Sequence, residues 1–163
     1  MSLFIQTGLR WLWIALFAIV ADQLAKYAIM QTIPYGHGVV ITPFFNLVHV
    51  YNTGAAFSFL ADAEGWQRWL FSGLAIAISL LLAIAMAKAP KKCSLATIAY
   101  SLVIGGAIGN LIDRLAYGHV VDFLDFHWQN TYHFAAFNVA DMAISCGAIL
   151  IVLDGFIKKP VQN

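Results

Sequence analysis

Four carboxylates crowd the second half of this chain. Asp113, Asp122, Asp125 and Asp141 all fall between Gly105 and Gly147, in a sequence with only eight acidic residues. Two carboxylates held near each other titrate as a pair, one ionised and one neutral, so that one activates water while the other protonates an oxygen or a leaving amine. Spacing nominates these four residues without choosing two of them. The runs on either side are apolar enough for lipid, where an ionised group is costly unless it is paired, solvated or protonated.

Rival chemistries have weaker patterns. Asp122, Asp125, His127 and His119 are metal-ligand types, but no His-Glu-x-x-His helix pair and no Cys/His pattern at zinc spacing accompanies them, so neither a metal nor a cofactor is expected. No Gly-x-Ser-x-Gly elbow and no phosphate-cradling glycine loop is present. Cys93 and Cys146 stand far apart and read as free thiols, and His37, His49 and His133 read as isolated interfacial residues.

Hydropathy sets the elements that must carry the carboxylates. The 163 residues are 61% hydrophobic and 10% charged, with a mean hydropathy of +0.79. Soluble domains carry about a quarter charged residues, so this is an integral membrane protein. A net charge of +1, with no basic cluster interleaved with aromatics, excludes nucleic acid as a partner. A bilayer core of about 30 Å needs roughly 20 apolar residues per helix. Four windows meet that need, at about 11–30, 69–87, 93–112 and 138–153.

The expected fold is therefore an all-α membrane protein, a single domain over 1–163 with four transmembrane helices. A small β-rich extracytoplasmic segment at about 36–60 separates the first two helices, and a short extracytoplasmic linker the last two. That linker, 115–136, is aromatic and His-bearing and is expected along the surface. Arg10 followed by an apolar stretch also fits a cleaved signal peptide, but such a peptide has no use for Asp22 and Lys26, which at i and i+4 read as a structural ion pair. Asp62 and Glu64 read as capping the second helix, and Trp11, Trp13, Trp66 and Trp69 as interfacial belts.

Arg10, Lys88, Lys91, Lys92, Lys158 and Lys159 share one side of a four-span chain, which makes that side, with both termini, cytoplasmic. Asp22, Asp113 and Asp141 then arrive at the same outer depth on three different helices, which points to a site. Gly105 and Gly109 form a small-xxx-small pair for close helix packing. Asn110, Asp113 and Arg114 share a face; Asp113 with Arg114 is either a self-neutralising pair or part of the site. The rival class is a small oligomeric proton- or cation-coupled transporter or channel subunit, since intramembrane Asp and Asn also make ion sites.

Five motifs in order carry a resemblance. Asp22-Gln23-x-x-Lys26, Asn52-Thr53-Gly54-Ala55-Ala56-Phe57, Gly109-Asn110-Leu111-Ile112-Asp113-Arg114, Val120-Val121-Asp122-Phe123 and Phe137-Asn138-Val139-Ala140-Asp141 closely resemble the bacterial lipoprotein signal peptidases, or signal peptidase II family, over almost the whole chain. The resemblance implies an aspartic intramembrane endopeptidase of the bacterial inner membrane. It would cut diacylglyceryl-modified prolipoproteins before the lipidated cysteine, at the outer face, with membrane lipid around it and no obligate protein partner. It further implies Asp122 and Asp141 as the catalytic pair, Asn52, Gly54, Asn110, Arg114 and Asn138 as pocket residues, and Asp22, Lys26 and Asp113 as a supporting polar network. The aromatic outer segment around Phe44, Phe45 and Phe57 would cover the substrate.

Overall fold

A computed structural model describes residues 3–54, 65–128 and 131–157. Phe57, Asp62, Glu64, Lys158 and Lys159, to which roles are given above, lie outside the described residues.

A short helix α1 (Leu3–Gln6) and a 3₁₀ turn (Gly8–Leu12) lead into α2 (Trp13–Thr32); α3 (Trp66–Lys88), α4 (Leu95–Tyr117) and α5 (Val139–Ile157) follow. Four helices, counting the 3₁₀ turn and α2 as one from Gly8 to Thr32, are long and apolar enough to cross a membrane. The helix that carries Asn110, Asp113 and Arg114 is the hub. In its most apolar stretch 67% of α4 is buried within the protein, against 28% for the first span and 17% each for α3 and α5. Small residues make that centrality possible, since lipid gives no hydrophobic drive and helices associate through close packing. A Cβ on Gly105 would sit 2.8 Å from Ala15 O in α2, and one on Gly147 of α5 would sit 2.8 Å from Ala99 O in α4.

Local chemistry sets the ends of α4. Ser94 and Thr97 form a reciprocal capping box at its start. At its end Gly118 adopts φ 84°, the left-handed conformation that stops the helix and turns the chain into a strand.

Both connections at the far end of the bundle build one antiparallel sheet. Strands β1 (Gly38–Thr42) and β2 (Phe45–Asn52) come from the first connection, β3 (Val120–Trp128) and β4 (Tyr132–His133) from the second, in the order β1-β2-β3-β4. The second connection thus departs from the expected surface run. Val120, Val121, Asp122 and Phe123 are all buried, because β3 is flanked on both sides. Along one edge it pairs with β2, Val50 opposite Asp122 and Asn52 opposite Val120. Along the other, Leu124 N–H donates to Phe137 O at 2.8 Å and Phe137 N–H to Leu124 O at 3.1 Å. The second tie delivers the chain to the start of α5 beside Asp122. At the opposite end of the bundle Gly8 N–H donates to Ala89 O at 3.0 Å and Trp11 Nε1 to Lys91 O at 3.1 Å, which gathers Arg10 with the basic α3–α4 link.

Candidate active site

The strand and helix geometry sorts the four clustered carboxylates. Side chains alternate along a strand, so Asp122 and Asp125, three residues apart on β3, leave opposite faces. Asp125 accepts from Asn46 Nδ2 at 3.0 Å and lies 3.0 Å from His133 Nδ1. Asp113 does not close on its neighbour Arg114; it forms an ion pair with Lys26 at 2.8 Å. The self-neutralising pair gives way because consecutive helical residues diverge by about 100° around the axis, and Lys26 of α2 stands directly across from Asp113. Asp122 and Asp141 are the two that come together.

Asn138 joins them. This wholly buried residue precedes α5 and caps it: its Oδ1 accepts the Asp141 N–H at 2.9 Å, while its own N–H donates to Asp141 Oδ2 at 3.3 Å. An N-cap Asn with a carboxylate three residues on is a reciprocal capping box. The amide nitrogen of the same side chain donates to Asp122 Oδ1 at 2.6 Å. One asparagine therefore holds the helix carboxylate through its backbone and the strand carboxylate through its side chain.

Two further asparagines complete the set. Asn52 Nδ2 donates to Asp122 Oδ2 at 3.0 Å, a diagonal cross-strand contact, since Asn52 pairs with Val120 two residues away. Asn110 Nδ2 donates to Asp141 Oδ1 at 2.7 Å. Asn52 Oδ1 in turn accepts from Gly54 N–H at 2.9 Å, and Arg114 Nη2 donates to Gly54 O at 2.8 Å, which anchors the end of β2 to α4. Arg114 lies over the Phe71 ring at 5.3 Å, and its Nε is buried without a hydrogen-bond partner among the described residues.

Burial, first, and then the negative charge of Asp141 push the Asp122 carboxyl up from 3.8 to about 7, against the lowering effect of the Asn52 and Asn138 hydrogen bonds and of Lys26. A carboxylic acid that titrates near neutrality is poised for proton transfer.

Behind this pair lies a second one. Lys26 bridges Asp22 and Asp113 at 2.8 Å each and donates to Asn110 Oδ1 at 3.0 Å. Gln23, a residue to which sequence reasoning gives no role, donates to Asp113 Oδ1 at 2.8 Å and to Gly109 O at 3.2 Å. An amide one position after an intramembrane aspartate was the available signal, because such a group requires partners. Both carboxylates of this pair also reach forward to the backbone, Asp22 through the oxygen turned away from Lys26 and Asp113 through the oxygen it shares with the lysine. Asp22 Oδ1 accepts from Ala140 N–H at 2.8 Å, and Asp113 Oδ2 from Val121 N–H at 3.1 Å. Each supporting carboxylate thus grips the residue immediately before one of Asp141 and Asp122.

Comparison with known proteins identifies the company this arrangement keeps. The family described as Signal peptidase (SPase) II matches residues 14–157. The lipoprotein signal peptidase of Tolumonas auensis is 84% identical over 163 residues, covering 100% of this chain and 99% of that protein. That of Aeromonas hydrophila is 60% identical over 152 residues, covering 93% and 90%. A solved structure described as a bacterial membrane enzyme, determined by the in meso method at 2.3 Å, is 34% identical and superposes with a TM-score of 0.79 over 94% of each chain. The match over nearly the full length sets aside the transporter alternative. With four membrane-spanning helices and a family match from the first span to the last, this chain belongs to the signal peptidase II family and is a multi-pass lipoprotein signal peptidase.

Proposed function

We propose that this protein is an aspartic endopeptidase that removes the signal peptide from diacylglyceryl-modified prolipoproteins by cutting before the lipidated cysteine. The observation that carries the proposal is the Asn138 bridge between Asp122 and Asp141, with Asn52 and Asn110 as further amide donors to the two carboxylates and no cation in direct contact with either among the described residues.

In this reading the pair holds one proton, resident on Asp122 below about pH 7. Ionised Asp141 takes a proton from water as the water oxygen attacks the scissile carbonyl carbon. Neutral Asp122 hydrogen-bonds the developing oxyanion. As the tetrahedral intermediate collapses and the C–N bond breaks, the leaving nitrogen takes a proton from the pair, which ends with one proton, as it began. Asn52, Asn110 and Asn138 hold carboxylate oxygens in place, Arg114 and Gly54 shape the wall beside them, and Asp22, Lys26 and Asp113 support the backbone behind.

Sidedness follows from charge. Arg10, Lys88, Lys91 and Lys92 gather at the end of the bundle remote from the sheet, and positive charge marks the cytoplasmic side. The carboxylate pair then lies near the outer face of the bacterial inner membrane, within reach of a translocated precursor. The test is incubation of purified protein with a diacylglyceryl-modified prolipoprotein, with release of the signal peptide as readout. Wild type should cleave and Asp122→Asn and Asp141→Asn should not; cleavage by either variant at the wild-type rate would overturn the assignment.

A further inference from the structure

A groove of about 620 Å³ opens beside the carboxylate pair. Asp141 lies at one end, and Met142, Ser145 and Cys146 continue along the same stripe of α5. Because α5 begins at the sheet, this stripe descends about 7 Å from Asp141 toward the membrane interior. Phe45 and Phe126 of the sheet and the 134–137 segment form the opposite wall. We infer that this groove seats one acyl chain of the lipid on the residue that follows the scissile bond, an inference that rests on the reading above.

The lining chooses between the two apolar parts of such a substrate. An extended peptide within the membrane needs a partner for every backbone N–H and C=O. The groove supplies little of the kind: of its lining side chains only Asp141 and Ser145 bear oxygen. The strand edge in its wall is already taken, with Leu124 and Phe137 exchanging hydrogen bonds and Phe134 N–H donating to Phe126 O at 2.8 Å. An acyl chain asks for no hydrogen bonds. A tail already in lipid gains little hydrophobic free energy by moving into an apolar groove, so the benefit is alignment: a chain laid along α5 holds the adjoining peptide bond at Asp141. Ser145 and Cys146 keep the floor open, and a bulky side chain at either position would close it.

The test compares two substrates of the same peptide sequence, one with two long acyl chains and one with two butyryl groups, on wild type and on Cys146→Trp, in the same detergent. Wild type should favour the long-chain substrate in kcat/KM by about tenfold. In Cys146→Trp the ratio of the two kcat/KM values should fall to about one. A second measurement leaves the groove intact. Alkylation of Cys146 by N-ethylmaleimide, with exposed Cys93 as internal reference, is followed in Asp122→Asn protein. The long-chain substrate should slow labelling of Cys146 alone, whereas the butyryl substrate and plain phospholipid should not. An unchanged chain-length preference in Cys146→Trp, an equal loss on both substrates, or equal protection by phospholipid would overturn the acyl assignment. Failure of wild type to cleave either substrate would instead overturn the endopeptidase reading, and the alkylation arm would still report whether the groove holds an acyl chain.

Discussion

Two buried pairs of aspartates lie side by side in this protein, and they are held by opposite means. Asp22 and Asp113 share Lys26, at 2.8 Å from each. Asp122 and Asp141 are held by Asn52, Asn110 and Asn138, neutral amides that fix oxygens in space without neutralising them. A lysine supplies its partners with a counter-charge, and a buried charge without one is far costlier than the pair. Amides leave the proton free to move. The first pair is suited to hold backbone, and its carboxylates do so at Ala140 and Val121; the second is suited to exchange a proton with a substrate.

The sharpest way to break that contrast is to neutralise one member of the amide-held pair. Asp122→Asn or Asp141→Asn should lower kcat/KM for a lipid-modified prolipoprotein by about ten-thousandfold while the protein still folds. For Asp122 the stability effect should have the opposite sign. Its carboxyl is raised in the folded protein from 3.8 to about 7, so the folded state binds the proton more tightly than the unfolded chain does. Stability from this group is full below about pH 4 and is lost as pH rises toward 7. Asp122→Asn removes that loss, so its Tm at pH 8 should exceed wild type; a lower Tm would show that the carboxylate costs the fold nothing.

Lys26→Met probes the other pair and should do the reverse. It strands two carboxylates that are almost wholly buried, and should cost about 3–5 kcal/mol, read as a fall in Tm. Activity should fall with it, because Asn110 loses the lysine that orients its amide. If Lys26→Met left Tm unchanged while cleavage stopped, the lysine would belong with the chemistry and the division between the pairs would fail.

Asn138→Ala touches only the bridge. The helix loses its capping box, worth about 1 kcal/mol, and Asp122 loses its shortest hydrogen bond, so kcat/KM should fall by about a hundredfold with a modest drop in Tm. Substitution by Ser, which keeps a cap acceptor but has no amide to donate to Asp122, should recover part of the Tm without restoring activity.

The helices were legible in the sequence, because each is an apolar window bounded by charges such as Arg68, Lys88 and Lys92. The common depth of Asp22, Asp113 and Asp141 was legible too, as it needs only topology. What spacing left open, and only the family resemblance supplied, was the pairing. To separate Asp122 from Asp125 requires knowing that 120–128 is a strand, and its aromatic, His-bearing composition reads equally as a surface linker. The strand exists because β2, distant in sequence, and the 134–137 segment supply its partners, and local composition does not report pairing with a remote strand. Gln23 was overlooked for a related reason: its partner Asp113 lies 90 residues away.

The mildest perturbation sharpens the comparison most finely. Asn52 donates to Asp122 and thereby lowers its carboxyl, against burial and the charge of Asp141, which raise it. Below about pH 7 Asp122 carries the proton that the proposed chemistry needs, so kcat/KM should decline with rising pH above that value. Asn52→Ala removes one lowering influence, and the alkaline limb should move to higher pH. The shift should be small, since Asn138 still donates at 2.6 Å. Kinetics from pH 5 to 9 on both proteins would check it, pH 5 and 9 lying about two units either side of the expected limb. A limb that moved to lower pH would mean that Asn52 stabilises the neutral acid, and the amide set would then be holding the proton in place instead of leaving it free to move.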